Sequence, residues 1–199
     1  TRIVKTNPDG TEETKLKDSM GKYTLQHGAI SDGDRENKPT GTGTVQNGML
    51  YVDGTDMLTL PELNDVSENI YNGFTLNFQV KQDGDISGRP NPGEWAAPVS
   101  FSFNDWVATT YCRFLVATSG GGDMLRFNAH NITLDDKGAS AAYWGPAVIN
   151  HIADKMHNVT LSIRPGAYAK VYADGVEVIS LPCPEGWNLN HQNMQFAIG

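Results

Sequence analysis

FTLNFQV, residues 74–80, alternates without a break: Phe74, Leu76, Phe78 and Val80 are apolar, and Thr75, Asn77 and Gln79 between them are polar. Successive side chains of an extended chain project to opposite faces, so this stretch has one apolar and one polar face. That pattern predicts a half-buried antiparallel strand.

Comparable stretches run along the rest of the chain: MLYVDG, VSFSF, YCRFLVAT, MLRFNAH, VTLSI, AKVYADGVEVISL and MQFAI. Between them stand Asp-Gly and Asn-Gly pairs, at Asp9-Gly10, Asp32-Gly33, Asn47-Gly48, Asp53-Gly54, Asn72-Gly73, Asp83-Gly84 and Asp174-Gly175. Such pairs tolerate positive φ and favour tight turns. Many short strands with regular turns predict an all-β, two-sheet antiparallel sandwich. One segment reads otherwise. In PAVINHIADKMHN, Val148, Ile149, Ile152, Ala153 and Met156 recur at helical spacing, which predicts one short helix at most.

The 199 residues suit one domain with a substantial core. No run of 18 or more apolar residues occurs, so the sequence predicts no spanning helix. Residues 1–17 form a polar N-terminal segment without a signal-peptide core, and 31–43, SDGDRENKPTGTG, read as a loop. Fifteen basic against 23 acidic residues give a formal charge of −8, which argues against nucleic acid as a partner and leaves carboxylates for a hard cation. Cys112 and Cys183 are too few for a disulfide scaffold or a thiolate zinc site, and both read as unpaired small apolar residues, one disulfide remaining open.

The order of these pieces resembles the concanavalin A-like lectin/glucanase superfamily, in particular its laminin-G-like domains. LKDSMGKYTLQHG followed by GTVQNGMLYVDGTDMLTLP looks like their opening turn and strand, with Asp18, Ser19, Gly21, Leu50, Tyr51, Val52, Asp53 and Gly54 at the matching positions. GFTLNFQVK and MHNVTLSI are similar to two further strands of that family, and AKVYADGVEV to one of its hairpins. The family's usual strand tryptophan is Phe78 here. The resemblance covers residues 18–199 and implies a jelly-roll of two curved antiparallel sheets. Members of that family carry a closing strand after one like MQFAIG; either the N-terminal segment supplies it or this chain is part of a larger one, and the second is the expectation. The resemblance further implies a non-catalytic module of a secreted or surface protein that binds a glycan, polysaccharide or protein ligand, often beside calcium. Some relatives are glycoside hydrolases, so an accessory hydrolase domain is a further alternative.

DGDISGRPNPGE, residues 83–94, places Asp83, Asp85, Ser87 and Glu94 at positions 1, 3, 5 and 12, the spacing of a calcium loop. Strands rather than helices flank it, and Pro90 takes the eighth place, so it is no EF-hand. It is a candidate calcium site of another geometry or a solvated loop of turn-forming residues. The turn of Asp53 and Asp56 is a second candidate of the same kind.

Chemistry-bearing motifs fail on spacing. Glu62, Asp65 and Glu68 step by three, which in a strand puts Asp65 on the face opposite the other two, whereas a retaining glycosidase needs its carboxyls together. GASAA at 138–142 follows a polar LDDK rather than a buried strand, so it is no nucleophile elbow. The five histidines fall in no metal-ligand spacing. No catalytic set is predicted. The candidate ligand residues are the aromatics Trp95, Trp106, Tyr143, Trp144 and Trp187, read as lying in or beside loops, with Asn188 and Asn190. Flat sugar faces stack on such rings while hydroxyls seek amides, although the same aromatics could plug the ends of a sandwich.

Overall fold

The computed structural model describes residues 2–6, 8–9, 12–17, 24–27, 44–52, 58–60, 73–82, 96–102, 111–117, 124–134, 140–183 and 195–198. Its strands are β1 (Arg2–Thr6), β2 (Glu12–Lys17), β3 (Thr24–His27), β4 (Thr44–Gln46), β5 (Met49–Tyr51), β6 (Leu58–Leu60), β7 (Phe74–Val80) and β8 (Ala96–Ser102). They continue with β9 (Tyr111–Ala117), β10 (Met124–Leu134), β11 (Ser140–Ile149), β12 (His157–Arg164), β13 (Tyr168–Ala173), β14 (Val176–Leu181) and β15 (Gln195–Ile198). Every one of the predicted stretches contributes a strand.

All pairings are antiparallel. Nine strands form one sheet in the order β1-β2-β3-β6-β15-β8-β9-β10-β11, and four form another in the order β14-β13-β12-β7. β4 and β5 make a separate hairpin. The polar N-terminal residues supply β1 and β2, which reach the large sheet through β3.

Alternation explains the packing. Along β12, His157, Val159, Leu161 and Ile163 are buried, while Asn158 and Arg164 are exposed and Thr160 and Ser162 half-buried. β13 buries Ala169 and Val171 in the same sense. These side chains meet Val99, Phe114, Leu125, Phe127 and Ala129 from the large sheet. Phe78 of β7 sets its ring edge-on to Phe114 at 5.0 Å, and Phe114 stacks obliquely on Phe127 at 5.2 Å. The two sheets are thus bound face to face by a chain of aromatic contacts, each adding to the area buried. Phe78 fills this inter-sheet position. Cys183 is buried in the same core and makes no disulfide, and burial pushes its thiol up to about 11.

Two hairpins turn on the predicted pairs. Asn47 and Gly48 have φ of 50° and 76°, Asp174 and Gly175 of 49° and 82°, the double positive φ that a two-residue hairpin loop needs. In β14 the register slips by one between Val171 and Tyr172, leaving Val178 as an extra residue.

The segment whose spacing predicts a helix does not form one. Val148 and Ile149 end β11, residues 150–156 turn, and His157 opens β12. Ile152 is fully buried, and the Gln82 amide donates to its carbonyl at 3.0 Å, while Ala153 and Met156 face solvent. The helical stripe was a coincidence of a strand end and a plugging turn residue. The described residues contain no helix, and so none long and apolar enough to cross a membrane.

Candidate functional site

The polar half of FTLNFQV becomes a surface. β12 lies beside β7 with Asn158 opposite Gln79, Thr160 opposite Asn77 and Ser162 opposite Thr75. Residues directly opposed across an antiparallel pair share a face, so these six stand together on the outside of the four-stranded sheet. They bond in rungs: Gln79 Nε2 donates to Asn158 Oδ1 at 2.9 Å, Asn77 Nδ2 to Thr160 Oγ1 at 2.8 Å, and Thr75 Oγ1 to Ser162 Oγ at 3.4 Å. None of the six carries a charge. The two amide rungs each use one N–H of an amide that has two, and all three leave acceptor lone pairs over. Outward groups recur about every 7 Å along a strand and about 4.8 Å across, so the face is a lattice of neutral donors and acceptors.

β13 continues that face with ring and charge. Tyr172 stands opposite Thr160, Lys170 opposite Ser162 and Tyr168 opposite Arg164. Lys170 Nζ lies 5.4 Å from the centre of the Tyr168 ring and 2.7 Å from Glu177 Oε2, to which the Tyr172 hydroxyl also donates at 3.3 Å. The hydrogen bond with Lys170 holds Glu177 below its ordinary value, and the same bond raises Lys170. The pair is exposed, so its worth to stability is small. Its effect is to fix two tyrosines beside the neutral rungs.

One end of the face is anchored from within. Asp174, at the tip of the β13–β14 hairpin, accepts the Asn158 backbone N–H on Oδ1 at 2.9 Å, and its own N–H donates to the Asn158 carbonyl at 2.8 Å. Its Oδ2 faces His157 Nδ1 at 2.9 Å and Lys155 Nζ at 3.4 Å. The other ring nitrogen of His157 lies 2.8 Å from Asp154 Oδ1 and 3.0 Å from the His151 carbonyl. All three partners of the ring are acceptors, so only the doubly protonated ring can donate to each side at once. Burial works against that charge, since the His157 side chain is 8% exposed, but the bonds to Asp174, Asp154 and the His151 carbonyl outweigh it and raise the group above 6.5. Asp174 is lowered to about 2, first by the Asn158 N–H and then by His157, and Asp154 is lowered chiefly by His157. The two carboxylates sit on opposite ring nitrogens and do not converge, and the described residues hold no cluster able to bind a metal.

Of the residues singled out by sequence, Tyr143 and Trp144 lie within β11, not in a loop, in register with Ala129 and Asn128 of β10. Trp95, Trp106, Trp187, Asn188 and Asn190 lie outside the described residues, as do Asp83, Asp85, Ser87 and Glu94, the turn of Asp53 and Asp56, and Glu62, Asp65 and Glu68. Sequence reasoning placed Thr75, Asn77 and Gln79 on one polar face without nominating them. The missed signal was chemical: three successive outward positions without a charge. His157 was missed because its partners, Asp154 and Asp174, are brought to it by a turn and a hairpin tip rather than by a motif.

No family model matches the chain, and no curated protein matches it in sequence. Solved structures resemble it in part. The crystal structure of a tryptophan-to-alanine mutant of HCR/D aligns with a TM-score of 0.50 at 8% identity, over 99% of this chain and 46% of that one. The receptor binding domain of botulinum neurotoxin mosaic serotype C/D gives 0.47 at 12% identity, over 98% and 45%. The carbohydrate binding module CBM66 from Bacillus subtilis gives 0.39 at 11% identity, over 99% and 86%. The chain therefore spans less than half of the first of these structures, and the likeness is one of β-sandwich architecture.

Proposed function

We propose that this chain is a non-catalytic carbohydrate-binding module of a secreted or surface protein, and that it takes a neutral glycan on the outer face of the four-stranded sheet. One observation carries the reading: the six paired outward positions of β7 and β12 are all amide or hydroxyl, with the charged Arg164 only at the end of β12, although the chain carries 38 charged side chains, 15 basic and 23 acidic, that such solvated positions ordinarily take up. Neutral, bidirectional hydrogen-bonding groups match sugar hydroxyls, which donate and accept in turn. Tyr168 and Tyr172 offer ring surface to the apolar C–H faces of a sugar. Near the face, Asp154, Asp174 and Glu177 each rest against a cationic or protonated partner, an arrangement that suits holding a ligand rather than moving its protons. The reading agrees with the names of the fold neighbours, but at 8–12% identity the ligand is argued from the face itself. Calcium is proposed separately, at Asp83, Asp85, Ser87 and Glu94.

A second reading, a protein-interaction module on the same fold, is favoured by Val176 and Val178 of β14, which are 65% and 39% exposed.

The test is a broad glycan and polysaccharide array in calcium-containing buffer. Binding to neutral glycans that is lost in Asn77→Lys and weakened in Tyr172→Ala establishes the face. Binding kept in both but lost in Trp144→Ala or Trp187→Ala moves the site to the aromatics named from sequence. A blank array overturns the glycan reading in favour of a protein partner.

A further inference from the structure

Asn158 belongs to two structures at once. Its side chain closes the outermost rung with Gln79, and its backbone is clasped on both sides by Asp174. Asp174 in turn is held by His157, the residue before Asn158, and His157 spans to the 150–156 turn through Asp154 and the His151 carbonyl. The rung therefore hangs on a ring that must keep two protons.

We infer that His157 is a pH-responsive positioning residue for the glycan face: its doubly donating ring holds Asn158 and Gln79 in place, and loss of one ring proton releases that end. The inference rests on the glycan reading. Among the described residues, His151, whose carbonyl meets the ring, belongs to the same turn. The turn contributes Asp154 and, through Asp174, Lys155; the hairpin tip contributes Asp174; the facing strand β7 contributes Val80, which has no proton to exchange, followed by the exposed Lys81. A neutral ring would turn a lone pair toward either Asp174 or the pair formed by Asp154 and the His151 carbonyl, an acceptor facing an acceptor. The side that loses its bond lets either the hairpin tip or the turn move. Lys170 is raised from its ordinary value by its hydrogen bond with Glu177, so it keeps its charge across the same range.

The experiment is calorimetric binding of neutral tetrasaccharides of glucose, galactose and mannose between pH 5.5 and 9, alongside an NMR titration of the His157 ring. Affinity is expected to fall about fivefold across the ring's own midpoint, the low end of coupling between linked sites. By the same linkage a saturating tetrasaccharide raises that midpoint by about 0.7 pH units. Asp154→Asn leaves the Asp174 clasp on Asn158 intact and moves the midpoint of both curves down together, which a merely structural role would not do. His157→Gln flattens the pH dependence; should that variant fail to fold, Asp154→Asn decides alone. Affinity constant from pH 6 to 9, or a ring that titrates at or below 6.5, overturns the inference while leaving the glycan reading standing. Binding of no tetrasaccharide at any pH overturns both.

Discussion

Gly73 shows how one residue can fix a strand's position. Its φ is +103°, and a Cβ built there runs into the Ile163 carbonyl oxygen of the neighbouring strand β12. Gly73→Ala is therefore expected to destabilise by about 3 kcal/mol, combining strained φ with a backbone clash, as read by denaturant unfolding. Gly48→Ala has positive φ but open space around it, so only about 1–2 kcal/mol is expected. Equal losses at the two sites would show that the close approach at Gly73 is unimportant. His157 makes a second prediction at this scale. Its folded value is raised above 6.5, so its stabilisation is complete below about pH 6.5 and is lost as pH rises through the raised value. Asp174 is depressed to about 2, so its share is present above about pH 4 and is lost as pH falls toward 2. Thermal unfolding temperature should plateau between about pH 4 and 6.5 and decline on both sides. In His157→Gln the alkaline decline should disappear, and its persistence would assign it to other groups.

At the level of elements, β7 and β12 divide their labour between faces. Phe114, 1% exposed, packs edge-to-face with Phe78 and at a tilt against Phe127, so Phe114→Ala should cost about 3–5 kcal/mol in chemical denaturation. Asn77→Lys on the opposite face should change stability by no more than about 0.5 kcal/mol while reducing glycan affinity at least tenfold. A large stability loss there would mean that the rungs hold the sheet together rather than present it. The strands themselves were legible because alternation is a local signal: FTLNFQV and VTLSI carry their period within five to seven residues. Turns were legible where chemistry demanded positive φ, as at Asn47-Gly48 and Asp174-Gly175. The false helix at 146–158 arose because a buried strand end and the buried Ile152 of a turn imitate a 3.6-residue stripe when only sequence is visible. The candidate site was half legible. Thr75, Asn77 and Gln79 declared a polar face, but their partners Ser162, Thr160 and Asn158 lie some 80 residues on, and no local pattern announces a pairing at that range.

The whole molecule is organised by such distant pairings. β7 finds β12, and the late strand β15 inserts between β6 and β8. Loop closure must precede the reward of contact, so folding in the millisecond-to-second range is expected in stopped-flow refolding. A microsecond phase carrying the full amplitude would contradict this topology. Calcium binding would act at the same scale. If the 83–94 loop binds it, the unfolding temperature of chelator-treated protein rises with added calcium, because a ligand of the folded state alone stabilises by mass action. No rise at millimolar calcium removes that loop as a site and leaves the sheet face unaffected. The slipped register of β14 has one more consequence. β14 is the outermost strand of its sheet, with Val176 and Val178 exposed, a combination that invites another copy to add on, strand to strand. Because Val178 is an extra residue, the backbone bends there and its outer hydrogen-bonding groups fall out of step with any straight newcomer. The irregularity serves as insulation, keeping a sheet with a sticky margin from growing into fibrils when many copies crowd together.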